Sequence, residues 1–382
     1  MRLKRGELAA ILLVVALLAT AAAGCAKEPV STPASTSTPT STVPVAAASS
    51  AGLKTAMVTD VGGLGDRGFN DLSYAGLRRA SEELGAEIAV LESKRTADCA
   101  RNITQLAAAG YTPVFAVGYL MTGAVTQLAP RFAGVTFAGI DIVFDPLAAN
   151  VIGLSFKEQE AGYLAGVVAG KLTTRTDVDP RINAKRVVGF VGGMKIPPVQ
   201  RFEAGFIAGV RSVAPDVRVK SVYTGSFTDA RRGRAAARSL IKGGADIVFA
   251  AAGSCGNGAA KACKRDRALF IGVDADQYNT IAGIGDTIVT SAIKRVDNVV
   301  FLTVADAAAG NLKGGANRVF GLAEDGVGLA PYHEWDARLP QDIKDAVAKA
   351  TDDVVSGAVT VPEGKMPTSR CPAAPARGSA KG

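Results

Sequence analysis

One pattern occurs twice in this chain at a fixed interval of 133 residues, and that repeat narrows the possible architectures more than any other feature. Phe69 is followed seven positions later by Gly76, and Phe202 is followed seven later by Gly209. Gly139-Ile140-Asp141 returns as Gly272-Val273-Asp274 at the same interval. Gly62-Gly63 returns as Gly192-Gly193 at an interval of 130, which a slightly longer loop in the second copy accounts for. Around these landmarks, short apolar runs (54–60, 86–92, 113–117, 135–140, 187–191, 217–223, 246–252, 268–273 and 287–293) alternate with amphipathic stretches such as 69–84, 98–109, 159–172, 201–213, 229–242 and 295–309. Strands alternating with helices predict parallel sheets wound by right-handed crossovers. The expected fold class is therefore α/β, with two similar Rossmann-like lobes joined by a hinge. Each lobe opens with a strand, a glycine turn and a helix that begins at phenylalanine. The later segments 287–309 and 328–357 are expected to cross back and complete the lobes. The predicted boundaries are 54–158 with 286–325 for the N-terminal lobe and 159–285 with 326–362 for the C-terminal lobe.

The residues before Lys54 carry an address. Arg2, Lys4 and Arg5 precede an apolar run from Leu8 to Ala23, which leads into Ala22-Ala23-Gly24-Cys25. That order predicts a cleaved leader over 1–24 and acylation of Cys25 as the new N-terminus, since the apolar run is short for a stable membrane span. Ser, Thr, Pro and Ala dominate the following stretch, so 25–53 reads as a flexible tether, and a similar bias makes 363–382 a disordered tail. Export leaves Cys99, Cys255, Cys263 and Cys371 free to pair in three ways. A helix over 256–264 would hold Cys255 and Cys263 about 12 Å apart, too far to bridge each other.

In open parallel sheets, ligands bind beyond the carboxyl ends of the strands, which singles out a particular set of side chains. Asp60 ends the first strand. Phe69 offers a ring at a helix start, Asn70 offers a paired donor and acceptor, and Phe202 is the repeat-equivalent of Phe69. Two rings facing one another would sandwich a flat base. Asp141 and Asp274 end equivalent strands, and an ionised carboxylate accepts two hydrogen bonds from vicinal hydroxyls. Asp276 is an alternative to Asp274 for that contact. Gly253 lets backbone amides approach a ligand, and Lys294 is a candidate hydroxyl donor. Several of these residues also admit a purely structural role: Phe69 and Phe202 as core, Asp141 and Asp274 as helix caps, and Lys294 as a surface lysine at a helix start.

Thr59-Asp60-Val61-Gly62-Gly63 with Phe69-Asn70, Phe202-Glu203-Ala204-Gly205-Phe206, Gly272-Val273-Asp274-Ala275-Asp276-Gln277 and Lys294-Arg295-Val296-Asp297 together resemble the basic membrane protein family of substrate-binding lipoproteins. The resemblance runs from about Lys54 to about Pro362. It implies a type I periplasmic-binding-protein fold, capture of purine nucleosides and their transfer to an ABC permease and ATPase. It also implies Asp60 and Asn70 as base contacts, Phe69 in the stack, and Gly272–Gln277 with Lys294 as ribose contacts. The protein is accordingly expected as a lipid-anchored monomer on the outer face of the cell membrane, with no cofactor, metal or nucleic-acid partner. Two departures stand out: Cys255 occupies the glycine loop as a candidate lining thiol, and Thr173–Lys185 is long.

Other functions leave weaker traces. Gly63, Gly65 and Gly68 satisfy the dinucleotide-binding spacing, with Glu92 near the position of a ribose-binding acid. His333 is the only histidine, which excludes histidine-rich zinc sites and leaves one candidate for a histidine-based triad, far in sequence from the cleft motifs. Cys255 has no evident base to activate it. The formal charge of +8 is scattered, with no basic stripe of the kind nucleic acid requires. A receptor or sensor for a sugar or another small polar solute would need much the same residues, and that alternative stays open.

Overall fold

The computed structural model describes residues 52–364. The expected leader, the lipidation site Cys25, nearly all of the tether and of the tail, and Cys371 lie outside the described residues. The first half runs β1 (Lys54–Thr59), α1 (Phe69–Leu84), β2 (Glu87–Glu92), α2 (Thr96–Ala108), β3 (Val114–Val117), α3 (Thr122–Leu128), β4 (Phe137–Ile140), β5 (Val151–Phe156) and α4 (Glu158–Leu172). The second runs β6 (Val187–Gly192), α5 (Pro197–Val213), β7 (Arg218–Tyr223), α6 (Ala230–Lys242), β8 (Ile247–Ala251), α7 (Ser254–Asp266), β9 (Leu269–Asp274), α8 (Gln277–Thr280), β10 (Ile288–Lys294) and α9 (Val296–Ala308). The chain closes with β11 (Ala316–Phe320), β12 (Val327–Leu329) and α10 (Gln341–Val355).

Two six-stranded sheets result, ordered β11-β5-β4-β3-β1-β2 and β12-β10-β9-β8-β6-β7. The orders correspond strand for strand, which is the repeat expressed in three dimensions. Every pairing is parallel except that of β12 with β10, which is antiparallel. The central strands β3, β4, β5, β6, β8 and β9 are buried along their whole length. They therefore read as continuous apolar runs without alternation, as strands covered on both faces do. Among the described residues no helix is long and apolar enough to cross a membrane.

The chain passes between lobes at Lys157, at Arg295 and between β11 and β12. After β5 of the first sheet, α4 packs against α5 of the second lobe; after β10 of the second sheet, α9 packs against α1 of the first. This corrects one expected boundary. The sequence pattern places 286–294 in the N-terminal lobe, but β10 pairs with β9 and β12 and belongs to the second sheet. Strand and following helix look like one unit in sequence, and only the sheet register reveals that the crossover falls between them.

The repeated glycines explain why phenylalanine and glycine recur seven apart. Seven residues are about two helical turns, so both lie on one face. A Cβ on Gly76 would stand 2.2 Å from the Asp297 carbonyl of α9, and one on Gly209 2.0 Å from the Tyr163 carbonyl of α4. In each lobe the helix thus carries a glycine where an exchanged helix crosses closely, but only α1 begins at its phenylalanine: α5 begins at Pro197, whose fixed φ suits a first helical position, so Phe202 lies more than a turn inside the helix.

Candidate functional site

The carboxyl ends of both sheets border one cavity of about 600 Å³, including its opening to solvent. Asp60, Phe69, Asn70 and Asp141 line it from the first lobe, and Phe202, Gly253, Asp274 and Lys294 from the second. The ninth expected residue, Asp276, is not part of the lining. Its carboxylate lies 2.7 Å from His333 Nε2 and accepts from Asn279 Nδ2 at 2.8 Å. His333 is therefore not remote from the cleft motifs, as its sequence position suggested. It stacks on Tyr278 at 4.0 Å and braces the segment that follows β9.

Asp141 and Asp274 both adopt a left-handed backbone with φ of 63°. Non-glycine residues rarely do so, and such strain concentrates where a side chain must be aimed. Neither acts as the side-chain cap of a helix. Both rings border the cavity, but in different surroundings. Phe69 is half-buried, whereas Phe202 is 3% exposed and set edge-to-face on Phe249 at 5.9 Å. The half-buried Phe227 and Tyr119, the first residue of a 3-10 turn after β3, line the cavity as well.

The loop between β1 and α1 is organised by Asp66, which no sequence pattern singles out. Asp66 is 3% exposed, and its carboxylate accepts from the backbone N–H of Gly68 at 3.0 Å, of Asn70 at 2.9 Å and of Asp71 at 3.2 Å. It also accepts from Asn70 Nδ2 at 3.0 Å, and the same amide nitrogen donates to Asp60 at 3.2 Å. Asn70 Oδ1 is left buried without a partner, on a residue that lines the cavity. These bonds dispose of the dinucleotide reading. The amides that would cradle a pyrophosphate are consumed by Asp66 and by Asp71, which takes Gly65 N and Arg67 N. Glu92 accepts from Leu64 N at 2.9 Å and so anchors the loop instead of awaiting a ribose.

Four charges alternate in a row that runs from the cavity lining into the protein. Lys294 Nζ lies 2.6 Å from the Asp141 carboxylate and donates to Glu158 at 2.9 Å, and Glu158 in turn accepts from Arg201 Nε. All four residues are buried. Burial pushes Asp141 up to about 6, Lys294 opposing and Glu158 adding to the rise. Burial also acts to raise Glu158, but Arg201 and Lys294 outweigh it and hold that carboxyl below its ordinary value. Lys294 is favoured as the ammonium because Asp141, Glu158 and Asp274 together overcome its desolvation. Asp274 is pushed up to about 7 and Asp60 to about 6, in both cases chiefly by burial.

The lobes also meet across the mouth. Arg67 Nη1 donates to the Thr280 carbonyl at 3.1 Å, Thr280 Oγ1 donates to the Arg67 carbonyl at 3.2 Å, and Asn257 Nδ2 donates to the Asp66 carbonyl at 2.9 Å. Cys255 is not a lining thiol: it is fully buried under the loop before α6, with Sγ 3.1 Å from the carbonyls of Ser226 and Asp229. Cys99, Cys255 and Cys263 are all free and buried. Among the described residues no cluster of His, Cys, Asp or Glu could hold a metal ion. Tyr119 was within reach of the strand-end rule, since Gly118-Tyr119 follows β3. Phe227, Glu158 and Arg201 carried no comparable signal.

Comparison with known proteins agrees with this architecture. The chain is 35% identical to the CD4+ T-cell-stimulating antigen of Listeria monocytogenes, over 81% of this chain and 87% of that protein. It is 32% identical to the ABC transporter nucleoside-binding protein BmpA of Lactococcus lactis, over 81% and 89%. An ABC transporter solute-binding protein from Aeropyrum pernix superposes with a TM-score of 0.75 at 26% identity, covering 81% of this chain and 94% of the other. Residues 53–365 match the Bmp family profile, described as ABC transporter substrate-binding protein, PnrA-like. Two matching sheets, a cleft at their carboxyl edges and this family match lead to one conclusion: the chain belongs to the Bmp family of ABC transporter substrate-binding proteins.

Proposed function

We propose that this protein captures a purine nucleoside in the cleft and hands it to an ABC permease and its ATPase, working as a monomer held to the outer face of the cell membrane by a lipid on Cys25. The observation that carries the reading is the mixed lining of a single cavity. It brings the Phe69 ring and the amide of Asn70 together with the carboxylates of Asp60, Asp141 and Asp274 and the ammonium of Lys294, whose Nζ lies 4.9 Å from the Phe69 ring centroid. A nucleoside presents matching groups, a flat heterocycle with donors on its edge and a sugar with vicinal hydroxyls. Phe69 would stack on the base, worth about 1–3 kcal/mol, with Phe202 as the opposing ring. Asp141 and Asp274 would accept the hydroxyl protons and Lys294 would donate. The relative named as nucleoside-binding supports the same assignment.

The role is capture without covalent chemistry, so inosine incubated with the protein should be recovered unchanged. Calorimetric titration against guanosine, adenosine, inosine, uridine, ribose and glucose tests the reading. Purine nucleosides should bind and ribose alone should not. At a hundred times its dissociation constant a bound nucleoside should stabilise the protein by about 2.7 kcal/mol. Binding of a sugar with no response to any nucleoside would refute the proposal.

A further inference from the structure

Glu158 and Arg201 do not line the cleft, yet both are charged, buried and joined to the lysine that does. Glu158 is the first residue of α4, at the first connection between the lobes, and Lys294 is the last residue of β10, at the second. Arg201 lies on α5 in the second lobe, and Asp141 directly follows β4 in the first. The row Asp141, Lys294, Glu158, Arg201 thus alternates in sign, is balanced in charge and links both lobes through two connections. The third connection is tied to the same place, since Leu322 N donates to Glu160 at 2.7 Å and Arg295 N to the Gly326 carbonyl at 2.9 Å.

We infer that Glu158 and Arg201 are positioning residues for ligand capture: they hold the Lys294 ammonium in place when a ligand draws the Asp141 carboxylate away from it. This assignment rests on the nucleoside reading of the cleft. The reasoning is electrostatic. A buried ammonium needs a counterion within contact distance, or desolvation returns it to the neutral amine. Asp141 is its nearest partner, at 2.6 Å, but that carboxylate also faces the cavity and is the group a diol would engage. Glu158, 2.9 Å away and outside the cavity, stays in place whatever Asp141 binds. Arg201 fixes the second oxygen of Glu158 and favours its ionised form. The lysine stem, flexible in itself, is confined among the rings of Phe69, Phe156 and Phe202, whose centroids lie 4.9, 5.0 and 6.0 Å from Nζ. Without Glu158, the approach of a diol would leave the ammonium partly uncompensated, and the donor to the sugar would be lost as the sugar arrives.

A merely structural ion pair and a positioning pair respond differently to one set of variants. Glu158→Gln alone removes the carboxylate that Arg201 Nε contacts and can unfold the protein, so the paired variant Glu158→Gln with Arg201→Met, which removes one charge of each sign, is measured beside it. In the paired variant, affinity for guanosine should fall about tenfold or more, and affinity for 2′,3′-dideoxyguanosine less than about threefold, because the lost contact is to the sugar hydroxyls. The NMR signal of the Lys294 side chain should titrate at lower pH than in the wild-type protein. Equal losses for the two ligands, or an unchanged Lys294 titration, would overturn the inference. If the wild-type protein binds neither ligand, the nucleoside reading fails by itself. The Lys294 titration then decides the positioning role alone: a lowered midpoint upholds it and an unchanged one ends it.

Discussion

Replacing Asp274 with asparagine isolates the electrostatic strain of the cleft in the ligand-free protein. Burial moves this carboxyl from 3.8 to about 7, with Asp141 and Asp66 adding to the rise and Lys294 opposing it. The sign follows from proton counting. Between about pH 4 and 7 the folded protein holds a proton that the unfolded chain has released, so stability falls as pH rises and the loss is complete above the folded value. Three decades of pH at 1.36 kcal/mol each put that loss on the order of 4 kcal/mol at pH 8 relative to pH 4. Asparagine has nearly the same shape, cannot ionise and tolerates the left-handed backbone that Asp274 adopts, with φ of 63°. Urea denaturation of the ligand-free wild-type and Asp274→Asn proteins should therefore diverge as pH rises from 4.5 to 8, the variant becoming the more stable by several kcal/mol. The same variant should bind nucleoside more weakly, and wild-type affinity should rise through pH 7 as Asp274 ionises to accept hydroxyls. A stability difference that does not change with pH, or a variant less stable at pH 8, would refute the reasoning.

Phe69→Ala should weaken nucleoside binding by about 1–3 kcal/mol with little change in the melting temperature. Phe202→Ala should lower both, since that ring also packs on Phe249; calorimetry and thermal unfolding of the two variants separate ligand surface from core. Thr280→Val removes one hydrogen bond across the mouth of the cleft and should raise the ligand dissociation rate several-fold with less effect on association, as stopped-flow fluorescence would show. Gly209→Ala forces a methyl to within 2.0 Å of the Tyr163 carbonyl, and denaturation should reveal a loss of about 1–3 kcal/mol from parting α4 and α5.

Local patterns were legible where local physics decides. The helix over Phe69–Leu84 was readable to the residue because its glycine loop, its apolar face and Gly85, left-handed at its end, all lie in one stretch of sequence. β5 was missed because Lys157 alone separates it from α4, leaving no turn to punctuate the apolar run. β11 was missed because it is an edge strand whose half-exposed face lacks an apolar signature. Of the site, the strand-end residues Asp60, Asp141 and Asp274 were found by the rule for open sheets. Asp276 is expected in the cleft from its nearness to Asp274 and from the family resemblance, but its carboxylate lies against His333 instead.

What the sequence determined by itself is the plan: two copies of a strand-and-helix pattern 133 residues apart, with phenylalanine and aspartate at the edge where each sheet ends. Those features depend on contacts between near neighbours or on a period, and both survive in one dimension. Tertiary structure alone decided that the lobes exchange helices, so that β10 stays in the second sheet while α9 joins the first. It alone brought Asp141, Glu158, Arg201 and Lys294 into one buried row. Such a row depends on charges far apart in the chain finding one another where water is excluded, and no local pattern encodes that meeting.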